Sequence, residues 1–403
     1  MTRLILISLL AAFAHLAAQD ATLPPDSEYV QIQDGHLHLD GKRVRFWAGI
    51  NGQPHWRKDC TVEDIVRSVD RVEAYGFNMM RLWGVHRTFD KQPEGYVKGD
   101  GSKLDLHDRT IAEFKKRGIK IWVGAGGTGG RARAEDVDII DEPETAAAWQ
   151  EAIGPKGVKC AHYVATLWDP RLEAIAIRNN QTRMNRVNHH TGLRIGDDPV
   201  FAVWELTNEQ WWMQRMVGGT WIKLPEYFRD SLLVKWHEFL RNKYGTQEAL
   251  VTSWTGLLPG ENLVEGTILL APMRNAARTA ALNDANVHAM AKLDSVDTKY
   301  GREDFNVRRG RDVNEFFAGL LLAHKQRMSD SFKKNGKSAR LCPLLWDTGM
   351  GYNGVNQLMH QNADASSYCA YVGGLTHDES HERYPWCSGL EQPPRICLDV
   401  PWL

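Results

Sequence analysis

The chain is 403 residues long, with 49 Lys and Arg against 50 Asp and Glu and a formal net charge of -1. That balance argues against nucleic acid as the main partner, because neutralising phosphates needs a clustered basic excess, and 43% apolar with 25% charged residues excludes a disordered chain. The length admits two or three average domains, or one α/β barrel with insertions.

Taken in order, the chain opens on Arg3, an apolar run from Leu4 to Phe13, and the small pair Ala17-Ala18. This is the grammar of an export signal over residues 1–18. A membrane anchor would need about 18 or more apolar residues, and His15 interrupts this run. Residues 19–403 are then expected as a single soluble domain, secreted or periplasmic. Leu37 to Trp47 alternates around Asp40-Gly41, a hairpin signal, and runs into Ala48-Gly-Ile-Asn51, the first expected barrel strand. Thr61 to Tyr75 has Val62, Ile65, Val66, Val69 and Val72 at helical spacing, a Thr61/Asp64 capping-box start and a Gly76 stop. A strand follows over 78–85. A second helix over 108–117 ends at Gly118 before the strand Ile119 to Val123. A fourth strand covers 199–209, followed by a helix marked by Phe228, Leu232, Trp236 and Phe239. A later helix, marked by Val313 to Phe332, closes at Gly336 before a strand over 340–346. Further strands are expected at 363–371 and, more weakly, at 395–402.

Helices alternating with short apolar strands mean βα units and a parallel sheet. The expected fold is α/β, a (β/α)8 TIM-type barrel without an identifiable eighth strand and so incomplete toward its C-terminus. The intervals 126–199 and 256–308 are polar and read as irregular insertions on the catalytic face. Six cysteines (Cys60, Cys160, Cys342, Cys369, Cys387 and Cys397) permit disulfides in an exported chain, but spacing does not choose a pairing. No Cys or His spacing suits a metal, and His189-His190 reads as part of a loop.

The chemical signal is Trp204-Glu-Leu-Thr-Asn-Glu-Gln-Trp-Trp212. Glu209 closes an apolar strand, where a barrel presents catalytic groups. Asn208 beside it can bond a sugar hydroxyl, and Trp211 and Trp212 offer the dry surroundings that raise a carboxyl's pKa for acid/base work. The plainer reading makes Glu209 a helix-starting acid stabilised by the helix dipole. Glu205 shares its strand face but lies one layer deeper, as a buried structural carboxyl. Sugar rings pack their C–H faces on indoles, so Trp83, Trp211 and Trp212 are candidate substrate contacts; for any one Trp, the core is the competing assignment.

At these motifs the chain resembles clan A of the glycoside hydrolases, especially the cellulase and β-mannanase family, family five. The likeness runs from about residue 30 to 375. It implies that Glu209 is the general acid/base, with Asn208 its partner, and that Arg81, in Gly76-Phe-Asn-Met-Met-Arg-Leu-Trp83, supports the catalytic carboxylates. The run Leu39 to Asn51 looks like that clan's approach to its first strand. Tyr371, in Tyr368-Cys-Ala-Tyr371, matches a family Tyr, with Cys369 where the family has His. Where the family has a His after strand three, this chain has Gly124-Ala-Gly-Gly-Thr-Gly-Gly130. The family's nucleophilic Glu ends strand seven; the nearest carboxylate here is Asp399, one methylene shorter, and the chain is expected to stop before that strand. No cofactor is implied. The resulting expectation is a retaining hydrolase of β-linked glucan or mannan, with carbohydrate as its partner. A carbohydrate-binding pseudoenzyme lacking the nucleophile is the first alternative. An NAD-dependent oxidoreductase, resting on Gly124-x-Gly-x-x-Gly129, is a remote one, since the interval to Asp136–Asp141 is too short for a Rossmann helix.

Overall fold

The structure is a computed structural model, and it describes residues 23–50, 54–82, 94–124, 143–154, 160–207, 219–270, 305–346 and 363–364, with isolated positions between. Its centre is a five-stranded parallel sheet: β4 (Ala48–Ile50), β5 (Met79–Leu82), β6 (Lys120–Gly124), β7 (Phe201–Glu205) and β8 (Leu344–Leu345). The strands neighbour one another in chain order. When every crossover steps to the next strand with the same hand, all connecting helices fall on one face. That is the wall of a barrel rather than a doubly wound sheet.

The two faces of this wall carry different cores. Met80, Leu82, Ile121, Val123, Phe201 and Trp204 pack into the large cluster shared with the helices. Met79, Trp122, Val203 and Leu345 form a second cluster on the other face, closed by Val30 and by Leu37, Leu39 and Phe46. The last three belong to, or follow, a small antiparallel sheet of β1 (Gln31–Gln33), β2 (His36–Leu39) and β3 (Lys42–Arg43). Its two tight turns, Asp34-Gly35 and Asp40-Gly41, have all four residues at positive φ, as type I′ hairpins require. The expected hairpin is thus present, with a second one before it.

The helices are α1 (Val62–Ala74), α2 (Lys103–Lys116), α3 (Pro143–Ile153), α4 (Pro170–Asn185), α5 (Glu226–Tyr244), α6 (Gln247–Trp254), α7 (Phe305–Lys333) and α8 (Lys337–Leu341). In α1 the capping box is formed: Thr61 Oγ1 accepts the Asp64 N–H, and Asp64 accepts the Thr61 N–H. Helix α2 begins earlier than expected because Ser102 caps it by accepting the Asp105 N–H.

Three expectations need correction. The interval 126–199 contains helices α3 and α4, not only irregular chain. Helix α4 is capped by Asp169 and buries Leu172, Ile175, Ala176 and Met184. Its apolar stripe is hard to read because Arg171, Glu173, Asn180 and Arg183 are buried as well. The interval 256–308 likewise contains the start of α7. The strand expected over 340–346 is shorter. Arg340 and Leu341 end α8, and Cys342, extended before Pro343, turns the chain into β8. Beyond β8, the Asp364 N–H donates to the Leu344 carbonyl at 3.1 Å, and its carboxylate accepts the Leu344 N–H at 3.0 Å. Asp364 therefore lies alongside β8 as part of a bend, within the interval 363–371 where a strand is expected. The rest of that interval, the strand expected over 395–402 and the signal over 1–18 lie outside the described residues.

Candidate active site

Parallel strands in barrel order present their C-terminal ends to one rim, and that is where barrel enzymes place their chemistry. At this rim β5 and β6 set Arg81 opposite Trp122, while β7 ends at Glu205, opposite Gly124 on one side and Leu345 on the other. Arg81, Trp122 and Glu205 share the face turned away from the helices. The Arg81 guanidinium donates from Nε to Glu205 Oε2 at 3.0 Å and from Nη2 to both carboxylate oxygens at 2.7 Å. It also lies 4.6 Å over the Trp122 ring. Arg81 is 3% exposed and Glu205 1%. Each charge offsets part of the cost of burying the other.

Glu205 is therefore the structural carboxyl expected at this depth, and Arg81 is tied to it. Glu209, Asn208 and Trp211 follow in the same chain run but lie outside the described residues, as do Trp83, Tyr371 and Asp399.

Trp212 corrects an expectation. Its indole is 1% exposed, with its ring centroid 5.5 Å from that of His324 and 5.8 Å from that of Trp346. It packs as core against α7 rather than facing a cleft. Composition alone does not say whether a Trp just beyond the strand faces the core or a cleft.

The helix side of Trp212 is polar beneath its aromatic surface. His324 Nδ1 pairs with Glu173 at 2.6 Å, and Arg327 holds the same carboxylate at 2.7 and 2.9 Å. Burial works against ionising Glu173, but His324 and Arg327 outweigh it and hold its carboxyl below the usual range. Burial dominates at His324 and lowers its affinity for a proton despite Glu173. Lys325 Nζ lies 5.5 Å over Trp346 and has no hydrogen-bond partner among the described residues. Burial pushes its pKa down to about 7.

A second polar cluster surrounds the start of α2. Asp108 accepts from Tyr96 at 2.6 Å and from Arg186 Nη2 at 2.8 Å, with Arg186 Nη1 also bonded. His107 Nδ1 lies 3.1 Å from Asp108, and the His55 ring stands edge-on to His107 at 4.9 Å. Asp105 holds His190 at 2.7 Å, so His190 sits in a loop, as expected, with a carboxylate for a partner. Sequence reading took Asp108 only as a helix start; the pattern does not show that Tyr96 and Arg186 converge on it. Among the described residues no group of three His, Cys, Asp or Glu side chains is placed to hold a metal ion, and Cys60 and Cys342 are free thiols.

No family model matches the chain. In sequence it is similar to mannan endo-1,4-beta-mannosidase 2 of Oryza sativa subsp. japonica, with 26% identity over 266 residues, 57% of this chain and 55% of that protein. The chain thus spans about half the length of the curated relative it matches. Solved structures it is similar to include a β-galactosidase from the psychrophilic Marinomonas ef1 (16% identity, TM-score 0.48, covering 83% of this chain and 43% of that one). Another is the endo-β-1,4-mannanase from Thermotoga petrophila (18% identity, TM-score 0.29, covering 50% and 41%). The chain resembles the clan A glycoside hydrolases, β-mannanases among them.

Proposed function

We propose that this protein is an exported retaining glycoside hydrolase cleaving β-glycosidic bonds in a mannan- or glucan-type polysaccharide. What supports the reading most is the Arg81–Glu205 pair over Trp122. It fixes a rigid, charge-neutral platform at the C-terminal rim of a parallel sheet, four positions before Glu209 in the same run. In this reading Glu209 protonates the leaving glycosidic oxygen while a second carboxylate attacks the anomeric carbon. Glu209 then takes a proton from the water that releases the glycosyl-enzyme. The nucleophile is not identified; Asp399 is the nearest carboxylate to its expected place. Asn208 and Tyr371 orient the sugar, with Trp83 and Trp211 as its stacking surfaces. The similarity to a mannan endo-1,4-beta-mannosidase favours mannan over glucan.

The test is turnover of β-1,4-mannan and aryl β-mannosides by the full chain. Glu209→Gln is expected to lower kcat by about 10²–10⁴ while polysaccharide binding persists. Asp399→Asn is expected to abolish turnover if Asp399 is the nucleophile. An unchanged rate in Glu209→Gln would refute the assignment. Binding without hydrolysis in the native chain would instead make it a carbohydrate-binding pseudoenzyme.

A further inference from the structure

At the opposite end of β7 from Glu205, the turn before the strand and the end of α7 flank an open surface depression of about 440 Å³. Its lining includes five cations, Arg194, Lys333, Lys334, Lys337 and Arg340. In a chain whose charges nearly cancel overall, this is a marked local excess. Three carboxylates answer it: Asp197 pairs with Arg194 at 2.6 Å, Asp26 with Lys337 at 2.8 Å, and Asp364 with Lys333 at 2.7 Å. Lys334 and Arg340 are exposed and make no salt bridge among the described residues, although Arg340 acts at longer range on Asp26.

The frame of this depression is fixed by backbone. A Cβ at Gly336 would meet the Gly196 carbonyl oxygen at 2.2 Å, and a Cβ at Gly196 would meet the Asn335 carbonyl oxygen at 2.2 Å. Asp197, 2% exposed, accepts the Lys337 N–H at 2.7 Å and so joins the two segments. This fixes the backbone that carries the cations, which lowers the ordering cost of binding a multiply charged oxyanion between them.

We propose that this depression is an oxyanion-binding site for a multiply charged ligand, with the exposed Lys334 and Arg340 as its principal contacts and the three carboxylate-paired cations flanking them. Free phosphate and the acidic groups of an anionic polysaccharide carry the same chemistry. The site lies away from the candidate active rim and does not depend on the proposed activity.

Calorimetric titration of the full chain at constant ionic strength tests this, with inorganic phosphate and polygalacturonate as separate probes and neutral galactomannan as control. At least one anion is expected to bind saturably. The exposed pair Lys334→Ala/Arg340→Ala is expected to weaken it by about tenfold or more, while Lys58→Ala/Lys116→Ala, also exposed, leaves it unchanged. Tighter binding of the polymer than of phosphate identifies a glycan as the source; binding of phosphate alone identifies the free ion. The proposal is overturned if neither anion binds, or if both double variants weaken binding equally, since that is diffuse charge attraction.

Discussion

Two full charges, on Arg81 and Glu205, lie 2.7 Å apart with almost no access to solvent. Each offsets part of the desolvation cost of the other, so the pair is most sensitive to the loss of one member. Arg81→Met is expected to destabilise the fold by about 3–5 kcal/mol, because it removes the guanidinium that pairs with a buried carboxylate. Arg81→Met/Glu205→Leu should recover much of that loss, and urea unfolding of the three proteins measures the difference. Trp212 makes a contrasting case. Packed against His324 and Trp346, it is expected on Trp212→Ala to lower stability by about 3–5 kcal/mol, with little change in KM for polysaccharide. A raised KM at unchanged stability would restore it to the substrate cleft. Sequence pattern placed Glu205 by strand alternation, since period two puts every second side chain on one face. It misplaced Trp212 because beyond the strand no period fixes direction.

Elements were legible where one local rule dominates. The capping box of Thr61 and Asp64 and the Gly76 stop, at φ 74°, bound α1 within a residue of expectation. The Asp-Gly turn at 40–41 fixed the hairpin. Helix α4 was not legible, because its buried polar side chains bond to partners far away in sequence: Glu173 reaches His324 and Arg327 on α7. The contact between Gly336 and Gly196 was equally hidden, since nothing local marks two segments that touch backbone to backbone. Gly336, at φ 151°, is a sharp test of that packing. Gly336→Ala is expected to cost about 2–3 kcal/mol through strain and backbone displacement, visible as a lowered Tm. The exposed neighbour variant Lys334→Ala should leave Tm unchanged.

Across the whole molecule, buried groups on separate elements make stability fall as pH falls, in separate windows. Burial, with His107 and Lys103 nearby, pushes the His55 pKa down to about 2, against about 6.5 in the unfolded chain. Between those values the unfolded state binds a proton that the folded state refuses, so acidification from pH 6.5 destabilises the fold by up to about 1.4 kcal/mol per pH unit. Asp108 adds to this at lower pH. Burial opposes its ionisation, but Arg186 and His107 hold its carboxyl well below the usual range, so its stabilisation is present above about pH 4 and lost below. Lys325 acts at the other end. With its pKa pushed down to about 7 and an unfolded value of about 10.4, stability rises from pH 7 toward 10 as the unfolded chain gives up its proton. Below pH 7 the amine charges with no partner among the described residues, and its cost is fully present. Lys325→Met is therefore expected to raise stability at pH 6 by about 2–5 kcal/mol and to flatten the dependence above pH 7. His55→Phe should flatten only the limb between pH 6 and 4. Urea midpoints of the native chain and both variants across pH 4 to 9 separate the two windows. If Lys325→Met lowered stability at pH 6, the ammonium would have to be stabilised where it lies, and the picture of a bare amine over Trp346 would fail.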